Sequence, residues 1–244
     1  MKNVSALTRR ELVAYFLSPT AYVVLMVIVL LTGYIYFDFL SARREALILP
    51  VVRVTAFMLM LVAPLLTMRL FADEFQSGTI ETLMTAPVTT VEVVLSKYLA
   101  ALFFLLVVLV PPILYAGILY WASTRSGGAG PDAGPILAGY LGLYLLGAYF
   151  LAIGLVASSW VRSQISAAVV TVVILLMLQI PSFVIPEDAV DPLSRAIRYI
   201  SYTNHFYDVF DKGILDTRHI VYFLTTSMFC VFLTTVVVTV RRWR

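Results

Sequence analysis

Long apolar runs, each closed off by charges, alternate with short polar connections along the chain. Charge-free stretches reach from Leu12 to Phe37, Val54 to Met68, Tyr98 to Thr124, Ile136 to Val161, Ser163 to Pro186 and Ile220 to Val240. The second extends back to Pro50 across Arg53, whose long side chain can snorkel to the membrane interface. A helix that crosses a bilayer needs about 20 mostly apolar residues. The pattern therefore predicts an all-α membrane protein, a single domain over residues 1–244, with spans near residues 16–40, 50–69, 97–122, 136–160, 164–186 and 219–240. The first run is long enough to span and no small-residue cleavage site follows it promptly, so it reads as a retained span.

The connections differ in kind. Ser123 to Pro135 is a Gly/Pro-rich loop without periodicity, and only Val161 to Gln164 separates the fourth and fifth spans, which form a tight helical hairpin. In the stretch Glu187 to His219, Asp191-Pro192 reads as N-cap and first helical residue. Leu193, Ile197 and Ile200 then share one face, opposite Arg195 and Arg198. A second short turn carries Phe206, Val209 and Phe210, Gly213 is a fitting stop, and Asp216 can cap the last span. This predicts a short external helical pair between spans five and six, lying on the membrane surface or dipping into it.

Residues 70–96, between spans two and three, form the most distinctive module. Ser77-Gly78 breaks any helix continuing from span two. Thr79 can cap a helix of about two turns with Ile80, Leu83 and Met84 on one face and Glu81 and Thr82 projecting away, and Pro87 ends it. Thr89 and Glu92 have the spacing of a capping box. The residues alone leave two readings open: an element that presents side chains to a cytoplasmic partner, or a well-capped loop whose charges are solvated.

Composition narrows the class. Hydrophobic residues make up 61% of the chain and charged residues 13%, about half the share in soluble domains, so a bundle in lipid is favoured over a globule. The net charge of +3 is scattered, and no basic run suggests nucleic acid. Six spans put both termini on one side. Nine Lys and Arg residues fall on that side and eight on the other; Arg9-Arg10 and Arg241-Arg242 beside the end spans assign it to the cytoplasm. The single Cys230 reads as a small packing residue.

Other candidates are few. His205 and His219 are read as too few and too far apart for a metal site. Gln179, the main strongly polar residue deep in a span, lines a substrate path or bonds to a neighbouring helix. Tyr199, Tyr202, Phe206 and Tyr207 fit an interfacial belt or an exit gate. Gly147, Gly154 and Ser158 favour packing within the chain over a dimer seam. Pro64, Pro111, Pro112 and Pro181 mark bends. No internal repeat is visible, which counts against inverted-repeat transporters. No ionisable group is placed convincingly at the membrane midplane, as a secondary transporter or channel would favour. No nucleophile and base converge within spans, so no enzyme is expected, and the chain has no phosphate-cradling Gly-x-x-x-x-Gly-Lys loop.

The stretch "FADEFQSGTIETLMTAPVTTVEVVLSKYLAALFF" resembles the signature region of ABC-2 type transporter permeases: an acidic pair, Gly-Thr-Ile/Leu-Glu-x-Leu, a proline, then Gly/Ser-Lys opening the next span. Here Ser96 stands where the family usually has glycine. "LSPTAYVVLMVIVLLTGYIYF", "YLGLYLLGAYFLAIGLVASSWVRSQISA" and "FDKGILDTRHIVYFL" resemble the gliding-motility-associated (Gld-type) branch. The resemblance implies a coupling helix seated in a separate cytoplasmic ATPase. Asp73 and Glu74 would flank it, Gly78 would set the turn, and Thr79, Ile80, Glu81, Leu83, Met84 and Pro87 belong to the contact. It further implies ATP and magnesium bound by that partner and no cofactor in this chain, a second permease copy or homologous permease as dimer partner, a prokaryotic cytoplasmic membrane, and export of an unspecified substrate.

Overall fold

The computed structural model describes residues 2–43, 49–79, 88–125, 133–186, 191–210 and 212–242. The described residues form helices α1 (Lys2–Leu17), α2 (Pro19–Arg43), α3 (Leu49–Thr67), α4 (Ala72–Ser77), α5 (Thr90–Arg125), α6 (Ala133–Trp160), α7 (Gln164–Val184), α8 (Pro192–Ile200), α9 (Tyr202–His205) with a following π-turn (Phe206–Phe210), and α10 (Thr217–Arg242). Six helical stretches are long and apolar enough to cross a membrane: Pro19–Asp38, Pro50–Ser77, Thr90–Ile118, Gly134–Trp160, Gln164–Val184 and Thr217–Arg241. The protein is an all-α membrane protein, with no strand among the described residues.

α6 is the axis of the bundle, with 89% of its apolar window buried against 17% for α7 and 22% for α2. Its small residues explain how neighbours come so close. A Cβ on Gly154 would stand 2.1 Å from Thr67 Oγ1 of α3, and one on Gly147 would stand 2.7 Å from Leu105 of α5. Ser158 bonds to backbone that follows α3. The small-residue face is thus used within the chain, as small residues are wherever membrane helices pack backbone to backbone.

The long charge-free run from Leu12 to Phe37 is not one helix. It breaks at Ser18, and α2 restarts with Pro19 at its first position, where a missing N–H costs nothing. α1 instead lies along the first turns of α5, with Tyr15 stacked on Phe104 at 5.0 Å between ring centres and its hydroxyl donating to the Leu66 carbonyl at 3.0 Å. Pro64, Pro111, Pro112 and Pro181 sit inside continuous helices. The Tyr140 hydroxyl donates to the Pro112 carbonyl at 2.5 Å, so this carbonyl in the proline-disturbed stretch has a side-chain partner.

At the end of the bundle remote from α1, the segment after α7 dips inward. Tyr202, Phe206 and Phe210 are buried, the Tyr202 hydroxyl points at Met60 Sδ of α3 at 3.4 Å, and Phe210 fills the space left by Gly142. The chain leaves the wedge through Gly213 at φ +78°, a left-handed conformation that glycine adopts freely. Tyr202 and Phe206 are therefore core residues and not members of a surface belt; Tyr199 stays exposed. The helical pair takes the inward course because its aromatic residues find an apolar slot beside α6.

Candidate functional site

α4 is six residues long and follows a tight turn at the end of α3. So short a helix has little stability of its own. Tertiary ties hold it, and they reach five other helices. The Phe71 and Ala72 N–H groups both donate to Ser158 Oγ near the end of α6, each at 3.1 Å. Asp73 Oδ1 accepts from Gln164 Nε2 at the start of α7, at 2.8 Å. Glu74 Oε1 accepts from Lys97 Nζ of α5 at 2.7 Å and lies 3.9 Å from Arg10 Nη2 of α1. The Arg241 guanidinium, near the end of α10, lies over the Phe75 ring at 4.6 Å and also donates to the Trp160 carbonyl.

Lys97 is the centre of this arrangement. Its side chain is 2% exposed, although it sits near the start of an apolar helix. A lysine so buried must be paired, because the desolvation cost of an isolated ammonium is prohibitive. Glu74 lies at 2.7 Å, Glu11 of α1 at 3.4 Å, and the Phe71 ring 5.3 Å away offers its face. Arg10 completes the alternation of charges, with Nη2 2.8 Å from Glu11 Oε1. Burial pushes the Glu11 carboxyl up, but the Lys97 charge and the Arg10 hydrogen bond outweigh it and hold it below the usual carboxylate range. Arg69 Nη1 donates to Ser18 Oγ at 2.6 Å, fastening the α1–α2 break to the end of α3. A cavity of about 420 Å³ opens beside the cluster, with Arg10, Glu11, Arg69 and Lys97 at its polar side and Leu65 and Leu66 at its apolar side.

The segment that leaves α4 departs through Gly78, at φ +73° with open space where a Cβ would be. Ser77 Oγ and Thr79 Oγ1 lie 2.9 Å apart across that turn. The chain re-enters through the capping box at the start of α5: Thr89 N donates to Glu92 Oε2 at 3.0 Å, and Glu92 N to Thr89 Oγ1 at 3.3 Å. Of the residues singled out from the sequence, Asp73, Glu74, Gly78 and Thr79 gather here. Ile80, Glu81, Leu83, Met84 and Pro87 lie outside the described residues. Gln179 is remote, half-buried in α7 near its other end.

Sequence reasoning missed Glu11, Arg10, Ser158, Gln164 and Arg241 as members of the site. Lys97 offered one clue, since a cation two turns inside an apolar helix demands a carboxylate. The two histidines need a correction. Fourteen residues apart in sequence, His205 and His219 are brought together, Nδ1 to Nδ1 at 2.7 Å, by the inward fold of α9 against α10.

The profile of the family described as ABC-2 type transporter matches residues 2–215. No curated protein matches the chain in sequence.

Proposed function

The chain belongs to the ABC-2 type transporter family, and from that premise we propose that α4 is the fixed base through which a separate cytoplasmic ATPase drives its spans. As a member, it is a multi-pass permease subunit of an ABC transporter, a family that in general partners an ABC ATPase. The observation that carries the proposal is the hub itself. The helix directly preceding the expected coupling segment is tied to α1, α5, α6, α7 and α10 by the contacts above. A push on residues 79–87 thus reaches five helices at once, three of them through charged or hydrogen-bonding side chains of α4 itself. The cavity beside Lys97 leaves room for α1 and α4 to shift against each other.

In this reading ATP and magnesium bind the partner, whose closure moves the coupling segment, and the spans tilt to alternate access for an exported substrate. Two ATPase subunits call for two coupling segments, so the permease works as a homodimer or with a homologous permease. The sparsely buried α2 and α7 leave apolar faces free for a second copy or for lipid. Both chain ends, the hub and residues 79–87 then lie on the cytoplasmic side of a prokaryotic inner membrane, consistent with Arg9, Arg10 and Arg241 at that end. The resemblance of the stretches quoted above supports reading the chain as a member of the gliding-motility-associated branch.

The test is purification from the native membrane in mild detergent, followed by identification of what accompanies the chain and an assay of ATP hydrolysis. A stoichiometric Walker-motif ATPase is expected. Glu81→Arg is expected to weaken its association by about tenfold or more, the cost of a misplaced charge at a docking groove, while leaving insertion intact. Absence of any nucleotide-binding partner after cross-linking in intact membranes would sink the proposal, and failure of the variant to insert would make Glu81 structural.

A further inference from the structure

Three carbonyls at the end of α8 receive side chains from beyond the helix, and that of Arg198 also accepts the Ser201 N–H at 3.1 Å. Asn204 Nδ2 donates to the Arg198 carbonyl at 3.1 Å, the Tyr222 hydroxyl to the Ile200 carbonyl at 2.6 Å, and His205 Nε2 faces the Tyr199 carbonyl at 2.8 Å. A carbonyl only accepts, so His205 carries its proton on Nε2. Its Nδ1 is then a bare lone pair whenever the ring is neutral. That lone pair points at His219 Nδ1, 2.7 Å away on the first turn of α10, which must therefore donate. His219 in turn is bare at Nε2, and that atom lies 4.0 Å from Asp216 Oδ2.

This geometry sorts the protonation states. One proton added at His219 Nε2 sits between the ring and Asp216 and leaves the imidazole–imidazole bond in place. A second has only His205 Nδ1 to go to, where it meets the N–H of His219 head-on and the bond is lost. The groups around the pair are Tyr199 from α8, Asp208 from the π-turn, Asp216 and Arg218 at the head of α10, and the Tyr222 ring stacked on His205 at 3.8 Å. Asp208 favours a charge on His205 and is itself engaged by Lys212 at 3.7 Å. A cavity of about 510 Å³ bordered by Tyr199, Asp216 and Arg218 reaches both rings, and the His219 side chain is 21% exposed, so protons have access. Among the described residues no group of three His, Cys, Asp or Glu side chains could hold a metal ion.

We propose that the His205–His219 pair is a proton-sensitive latch that fastens the inward-dipping α9 segment to the head of α10, closed while the pair carries at most one extra proton and open when both rings are charged. Burial holds His205 below the ordinary imidazole range of about 6.5. The stabilising contribution of the neutral ring is therefore complete above that value and lost as pH falls through its lower folded value. Opening breaks the tie to the head of α10 and frees the segment that carries Phe206 and Phe210 into the bundle. The latch stands at the end opposite α4 and does not depend on how the chain is driven.

The experiment is hydrogen exchange of residues 199–222 in the full-length protein in lipid nanodiscs, with an EDTA-treated sample, corrected for the intrinsic pH dependence of exchange. Protection is expected to fall by about tenfold or more between about pH 7.5 and about pH 5. His219→Asn supplies a non-titrating side chain that can donate to a neutral His205 or accept from a charged one, so its protection is expected to stay nearly flat over that range. His205→Phe keeps a ring on Tyr222, cannot titrate and is expected to be equally flat. An unchanged wild type, or the same pH response in wild type and His219→Asn, would overturn the proposal. Zinc added at neutral pH that raises protection in wild type alone would overturn it in favour of a bound metal.

Discussion

Lys97→Met is expected to destabilise the folded permease by about 3–5 kcal/mol, the usual consequence of removing one partner from a buried ion pair. The substitution keeps most of the volume and removes the charge. Glu11 and Glu74 are then left facing each other in a site where the lysine was 2% exposed. Thermal unfolding of the purified protein should show the loss as a clearly lowered midpoint. Adding Glu11→Gln and Glu74→Gln to the same chain should recover most of it, because the charge that remains, on Arg10, is exposed and no buried charge is left uncompensated. A midpoint unchanged in the single variant would show that the cluster contributes little. A triple variant as weak as the single one would assign the effect to the lost contact of the ammonium with the Phe71 ring. On the proposed function, the single variant also loosens α4 and lowers transport-coupled ATP hydrolysis.

Gly154→Val is the second large effect. At this point α6 and α3 are in backbone-level contact, and the first added carbon would stand 2.1 Å from Thr67 Oγ1 and 2.8 Å from Thr67 Cβ. Neither atom can swing clear, since Thr67 Oγ1 is bonded to the Ala63 carbonyl at 2.9 Å and Cβ is fixed by the helix. The helices must separate, at a cost of about 3 kcal/mol or more, and α4 follows because Ser158 lies one turn further along the same helix. Gly117→Ala is the control. It also sits in a helix, but nothing lies within 4 Å of its added carbon, so its effect should stay within about 1 kcal/mol. Equal behaviour of the two variants in detergent unfolding would show that α3 and α6 are not the packed core of the bundle.

How much of this was legible in the sequence depends on the range of the interaction involved. The spans could be read from the lengths of apolar runs. Gly78 and the Thr89–Glu92 box were equally visible, because a left-handed turn and a capping box are set within a few residues. The break at Ser18 was hidden by its surroundings: residues on both sides are apolar, and only Pro19 marked it. The charge cluster was less accessible still. Glu11, Glu74 and Lys97 come from three elements far apart in the chain, and hydropathy carries no information on which carboxylate meets which cation. The histidine pair was hidden for the same reason. The inward turn of α9 depends on a slot beside Gly142 that exists only once α6 is packed.

The measurement that bears most directly on the account is cysteine cross-linking at the mouth of the coupling segment in intact membranes. Cys230→Ser supplies a chain without other thiols, and Thr79→Cys places one at an exposed position just past Gly78. The account predicts an adduct with a nucleotide-binding subunit, formed from the cytoplasmic side and changed in yield by ATP. Reaction of that cysteine with a membrane-impermeant reagent from outside, or adducts that never include a nucleotide-binding subunit, would contradict it.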